Sequence, residues 1–180
     1  MLERSATRKS ILLFTAGIWA VVSLGAKLRH NTAALTTPTT SSAGSYDVSR
    51  DPAKDLKDAI AEATRTHKRI LLEVGGEWCV YCHIMDTVFE SHPQLKKERD
   101  DHYVTLKVNY SKENPNDGFL SHYPAIVDYP HFFVLDSNGT LMHSQPTRPF
   151  EHGKNYNAGK IDAFLKKWSQ PPRHFLNSVG

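Results

Sequence analysis

The sequence predicts an α/β domain: a central mixed β-sheet flanked by helices on both faces. Two observations carry this. Segments with helical spacing alternate with short, branched apolar runs, in the order helix, strand, helix, strand, helix, strand, strand, helix. A strand–helix–strand crossover gives parallel neighbours, and a tight-turn signal between the last two strands adds an antiparallel edge.

The elements follow in order. Asp51-Pro52 reads as an N-cap with proline at the first helical position, and Leu56, Ile60 and Ala63 form one apolar stripe, so a helix runs to about Thr66. "RILLEV", Arg69 to Val74, is a buried strand that Gly75-Gly76 ends. Ile84, Met85, Val88 and Phe89 recur with helical period, which places a helix from near Cys79 to before Pro93. "HYVTLKVNY", His102 to Tyr110, alternates as a second strand. Residues Ser111 to Asp128 are rich in Asn, Pro and Asp, with one short helix expected around Phe119 to Tyr123. "HFFVLD", His131 to Asp136, is a third strand, Ser137-Asn138-Gly139 a hairpin turn, and "TLMHS", Thr140 to Ser144, the returning strand. Ile161, Phe164, Leu165 and Trp168 share one face of a last helix over Ala158 to Trp168, and Pro171-Pro172 stops it.

These elements fill residues 51–170, which is one domain. Its 39% apolar and 23% charged content suits a single packed core. The net charge of +3 is too small to argue for a nucleic-acid partner. Most of the excess lies before residue 30, where Arg4, Arg8, Lys9, Lys27 and Arg29 face only Glu3. Between them Ile11 to Ala26 carries no charge. That stretch is shorter than the ~20 apolar residues of a full span. Residues 1–30 therefore read as either a cleaved signal peptide or an uncleaved membrane anchor. Both readings place the domain outside the cytoplasm, in a periplasmic or other extracytoplasmic space. Residues 31–50, rich in Thr, Ser and Ala, read as a flexible linker, and 171–180 as a short tail.

The chemistry sits in "EWCVYCH", Glu77 to His83, which holds both cysteines of the chain. One pair cannot staple a small secreted fold, so the two thiols read as reactive or metal-binding. Cysteines at i and i+3 at a helix start place two sulfurs within bonding reach, with Cys79 at the open end. The partial positive charge of a helix N-terminus stabilises a thiolate there. Six residues earlier, Glu73 lies inside the apolar strand, where a carboxylate is costly without a partner or a task. Its alternative is a strand-edge position reaching solvent. Trp78, next to Cys79, reads as an apolar rim or as core packing.

Three separated stretches, "ILLEVGGEWCVYC", "DYPHFFVLDSNG" and "YNAGKIDAFLKKW", occur in the order that resembles the thioredoxin superfamily, from about Asp51 to Trp168. "VFESHPQL" and "FLSHYPAIVDYP" are most similar to exported bacterial thioredoxin-like domains. The resemblance implies a thioredoxin-like fold and thiol–disulfide oxidoreductase activity on protein cysteines, with no cofactor besides a redox-active Cys79–Cys82 disulfide. It implies Cys79 as nucleophile, Cys82 as resolving thiol, and Glu73 as the buried acid that moves the resolving proton. It implies Pro130 as a cis-proline presenting the backbone of Tyr129 to substrate, although X–Pro bonds are far more often trans. Expected partners are protein thiols or disulfides and a membrane or soluble thiol electron donor, with the membrane itself if residues 1–30 persist. The direction of reaction stays open.

Two alternatives share the motif. C-x-x-C-H also attaches c-type haem, with His83 as one ligand and Met85 or Met142 as the other. Cys79, Cys82 and His131 could also hold copper, as in a thioredoxin-fold metallochaperone. A module that binds without turnover is a third reading.

Overall fold

The computed structural model describes residues 45–169. The expected signal peptide or anchor, residues 31–44 of the linker, Gln170 and the tail lie outside the described residues. Among the described residues no helix is long and apolar enough to cross a membrane.

Helix α1 spans Pro52–Thr66; Asp51 caps it, its carboxylate accepting from Ala53 N–H at 2.9 Å and Lys54 N–H at 3.3 Å. Strand β1 is Arg69–Gly75, α2 Val80–Ser91, α3 Pro93–His102 and β2 Tyr103–Asn109. A single turn, α4, covers Asp117–Leu120. Strands β3 (His131–Leu135) and β4 (Leu141–Pro146) follow, then the two-residue strands β5 (Glu151–His152) and β6 (Asn155–Tyr156), and α5 over Ala158–Ser169.

Helix α3 and the β5–β6 hairpin escape the sequence reading. Helix α3, "PQLKKERDDH", has one buried aliphatic residue, Leu95, and so no stripe to betray it. Its proline start and good helix formers carry it instead. The β5–β6 hairpin is too short for a period to register. The short helix expected around Phe119 to Tyr123 begins earlier, at Asp117.

The main sheet runs in the order β2-β1-β3-β4. Strands β1 and β2 are parallel, with Glu73 opposite Lys107 and Gly75 opposite Asn109. Strand β3 is antiparallel to β1, and β4 to β3. The sheet therefore changes sense one strand earlier than the hairpin alone implies. At that hairpin Asp136 Oδ1 accepts from Asn138 N–H at 3.1 Å and Thr140 N–H at 2.9 Å. Gly139 takes φ +90° there, a region L side chains rarely enter.

Both faces of the sheet are covered, so strand alternation sorts side chains between two cores. Ile70, Leu72, Val74, Val104, Leu106, Val108, Phe133 and Leu135 pack with Ala59 and Ala63 of α1. Leu71, Phe132 and Val134 pack with Met85, Val88 and Phe89 of α2, Leu95 of α3 and Ile161, Phe164 and Leu165 of α5. This second layer holds α2 over the strand residues Glu73, Gly75 and Lys107, and so positions the site.

Candidate active site

Cys79 is the N-cap of α2, and its sulfur accepts a hydrogen bond from Cys82 N–H at 3.1 Å. The two cysteines are joined in a disulfide, with Cα atoms 5.2 Å apart. Cys82, one turn inside, is fully buried, and Cys79 is 4% exposed. No acidic side chain occupies the first turn of α2 to oppose its positive end. Tyr81 and Tyr129 pack on this cluster from the side.

Gly75 lies directly beneath. A Cβ there would sit 2.5 Å from Cys82 Sγ and 2.9 Å from Tyr46 Oη, so only glycine lets both atoms occupy that spot. Tyr46 is the surprise of the site. It belongs to the stretch expected to be flexible linker, yet it is 2% exposed. Residues 45–50 fold back because this ring finds an apolar seat against Cys79 and Cys82. The Tyr46 hydroxyl donates to Glu73 Oε1 at 2.8 Å, and its backbone N–H donates to Glu77 Oε1 at 2.7 Å. An isolated aromatic in a run of Ser, Thr and Ala was the available signal.

Glu73 is 0% exposed, which removes the strand-edge alternative. Its second oxygen, Oε2, has no hydrogen-bond partner. Burial raises the Glu73 carboxyl above the ordinary glutamate range, against the opposing pull of Lys107. Lys107, its neighbour across the parallel register, pairs with both oxygens of Asp86 on α2, at 2.5 and 2.6 Å. The Lys107 ammonium also lies 4.5 Å from the centre of the Tyr46 ring. Burial, then the nearby Glu73 carboxylate, hold the Tyr46 phenol protonated well beyond the usual tyrosine range.

A pH test follows from this burial. Glu73 binds its proton more tightly folded than unfolded. Its contribution to stability is therefore fully present below the ordinary glutamate range and is lost as pH rises through the higher folded value. Glu73→Gln keeps an acceptor for Tyr46 and does not titrate. The oxidised variant should unfold at the same denaturant midpoint as wild type in acid and should be more stable near neutrality, on the order of 1–3 kcal/mol. Parallel stability–pH curves for the two proteins would count against a costly buried carboxyl.

On the outer side Trp78 is 55% exposed, as a rim residue is, and its indole N–H donates to the Tyr110 carbonyl at 2.6 Å. It meets the Tyr129 ring edge-on at 5.4 Å, and Tyr129 stacks on Tyr110 at 5.2 Å. Burial pushes the Tyr129 phenol up to about 12. The Tyr129–Pro130 peptide bond is cis. Its loop is pinned by Thr147, whose hydroxyl donates to the Pro130 carbonyl at 2.6 Å and whose N–H donates to Asp128 at 3.2 Å. An open groove of about 800 Å³ adjoins Trp78, lined by Tyr110, Ser111, Lys112, Glu113 and Pro115.

Among the described residues no three His, Cys, Asp or Glu side chains are grouped to hold a metal ion. His131 is buried, with Nε2 2.9 Å from Ser144 Oγ and Nδ1 3.5 Å from Asp128 Oδ1. His83 Nε2 lies 2.8 Å from the Glu77 carbonyl oxygen. Met85 is sealed in the core, and Met142 stands at the Leu135 end of β4, whereas the cysteines lie at the His131 end.

A family model described as thioredoxin-like matches residues 51–137. No curated protein matches the chain. Among solved structures, a disulphide isomerase from Xylella fastidiosa Temecula1 is similar at 23% identity and a TM-score of 0.59, covering 69% of this chain and 96% of that one. The oxidised C-terminal domain of Neisseria meningitidis DsbD is similar at 17% identity and a TM-score of 0.52, covering 66% and 96%. A DsbH oxidoreductase is similar at 18% identity and a TM-score of 0.50, covering 64% and 82%. With the mixed four-stranded sheet between helices and the disulfide opening α2, the described part of this chain has a thioredoxin-like fold.

Proposed function

We propose that this chain is a thiol–disulfide oxidoreductase acting on protein cysteines outside the cytoplasm. The observation that carries the reading is one disulfide with two unlike ends: Cys79 caps the start of α2, and Cys82, fully buried one turn inside, packs with Tyr46, whose hydroxyl donates to the buried Glu73 carboxylate. The positive end of α2 favours the thiolate of reduced Cys79, which attacks a substrate disulfide. Cys82 then attacks Cys79 Sγ and releases the substrate, with Glu73 taking the Cys82 proton. The disulfide is the redox group, and the mechanism asks for no further cofactor. The groove beside Trp78 and the backbone at Tyr129–Pro130 offer an extended substrate segment an apolar rim and main-chain partners.

The similar structures named for disulphide isomerisation and oxidoreduction support the same reaction class. The basic-flanked apolar stretch before residue 30 supports export or tethering, and a thiol donor at or near the membrane would return electrons. A reduction potential on the full chain, equilibrated against a dithiol of known potential, tests the reading. A reversible two-electron couple is the expected result. A value near about −270 mV assigns reduction of substrates, and one near about −120 mV assigns oxidation. A pair that does not equilibrate at all contradicts the proposal.

A further inference from the structure

We infer that the Tyr46 hydroxyl is the relay through which the resolving proton passes between Cys82 and Glu73. The inference rests on the thiol–disulfide reading above and adds a catalytic group to it. Three observations point to Tyr46. Its Oη and Cys82 Sγ crowd one spot over Gly75, 2.9 and 2.5 Å from where a Cβ would stand. The same hydroxyl already donates to Glu73 Oε1 at 2.8 Å. Tyr46, Cys79 and Cys82 form one buried cluster, closed to bulk water by Tyr81 and Tyr129. A proton leaving Cys82 thus meets a phenol oxygen whose own proton already points at the acid.

The step balances without a charged tyrosine. In the mixed disulfide, Cys79 is bonded to a substrate sulfur and Cys82 is a thiol. The Cys82 S–H proton moves to Tyr46 Oη as the Tyr46 O–H proton moves to Glu73 Oε1. The Cys82 thiolate attacks Cys79 Sγ, the Cys79–Cys82 bond forms, and the substrate sulfur leaves with the bonding pair. Cys82 is oxidised and the substrate sulfur reduced, while the proton rests on Glu73. Run backward, the same path returns the proton to Cys82. Tyr46 is suited to passing protons rather than holding or losing them, because burial and the Glu73, Asp86 and Glu77 carboxylates keep its phenol neutral. Its backbone anchor to Glu77 at 2.7 Å fixes the ring over the helix start. Lys107, paired with Asp86, supplies the positive charge beside the acid.

The test is stopped-flow oxidation of the reduced full-length protein by an aromatic disulfide that releases one coloured thiolate at each step. In wild type, the first release reports attack by Cys79 and the second reports resolution by Cys82. Tyr46→Phe should slow the second release on the order of 100-fold near neutral pH, and Glu73→Gln should do the same. In mixtures of light and heavy water the wild-type second release should bend downward, as two protons in flight require. Second release within about twofold of wild type in Tyr46→Phe would overturn the relay. If the variant fails to fold by near-ultraviolet circular dichroism, the wild-type isotope plot decides: a bowed line supports the relay and a straight line overturns it. A wild-type protein that gives no first release removes the thiol–disulfide reading itself, and the relay with it. That outcome is distinct from normal release of both thiolates without dependence on Tyr46.

Discussion

Cys79→Ser is expected to abolish catalysed reduction of insulin disulfides, and Cys82→Ser to accumulate covalent complexes with substrate proteins. The asymmetry is a consequence of position. Cys79 caps α2, where the helix end stabilises negative charge on sulfur, and no other thiol in the chain can replace it. Cys82 is fully buried against Tyr46 and Gly75, so it meets only a sulfur already bound to Cys79. Alkylation of the reduced protein near neutral pH should accordingly mark Cys79 far faster than Cys82. Non-reducing gels and mass spectrometry of both variants check the result. Equal, slow labelling of the two thiols, with no trapped complexes, is incompatible with the proposed exchange chemistry.

The second large effect is on stability. Lys107→Met is expected to destabilise the oxidised protein by about 3 kcal/mol at neutral pH. The Lys107 side chain is 2% exposed and its ammonium is bound by both oxygens of Asp86, whose own side chain is 25% exposed. Removing the cation leaves two neighbouring carboxyls, Asp86 and Glu73, facing each other in a buried layer. Lys107 pulls the Glu73 carboxyl down, so without it the folded-state value climbs further above the unfolded one. Stability is then intact below the ordinary glutamate range and falls over a wider span as pH rises. Urea midpoints from acid to neutral pH measure this. A loss that stays the same at every pH would separate Lys107 from Glu73.

Much of this arrangement is legible in the chain. Asp51 and Pro52 announce α1, the branched run over Arg69 to Val74 announces β1, and the C-x-x-C pair marks the start of α2. Glu73 stands out because a carboxylate in an apolar run breaks the pattern. Lys107 does not stand out, although it matters as much. Strand β2 alternates Val104, Leu106 and Val108 with Thr105, Lys107 and Asn109, which reads as one buried and one wet face. Helices cover both faces here, so the polar set is buried too, and the partner of Lys107, Asp86, comes from α2, which period alone cannot locate. Helix α3 hides for the opposite reason: Arg99 replaces an apolar contact by laying its guanidinium 4.4 Å from the centre of the Phe89 ring, so charged letters conceal a packed face. Tyr46 hides because composition describes a stretch on average, and one residue in it behaves unlike the rest.

The anchoring of Tyr46 also has a mechanical side. A pull on the chain from the N-terminal direction reaches this residue before it reaches α1, because Tyr46 lies upstream of the Asp51 cap. Its two grips, on Glu73 and Glu77, are both inside the redox centre. Tension would therefore unseat the chemistry while every helix and strand stayed intact. A fragment cut at Asp51, where the helical signal begins, would keep the sheet and both cysteines yet strip the buried Glu73 carboxylate of its Tyr46 partner.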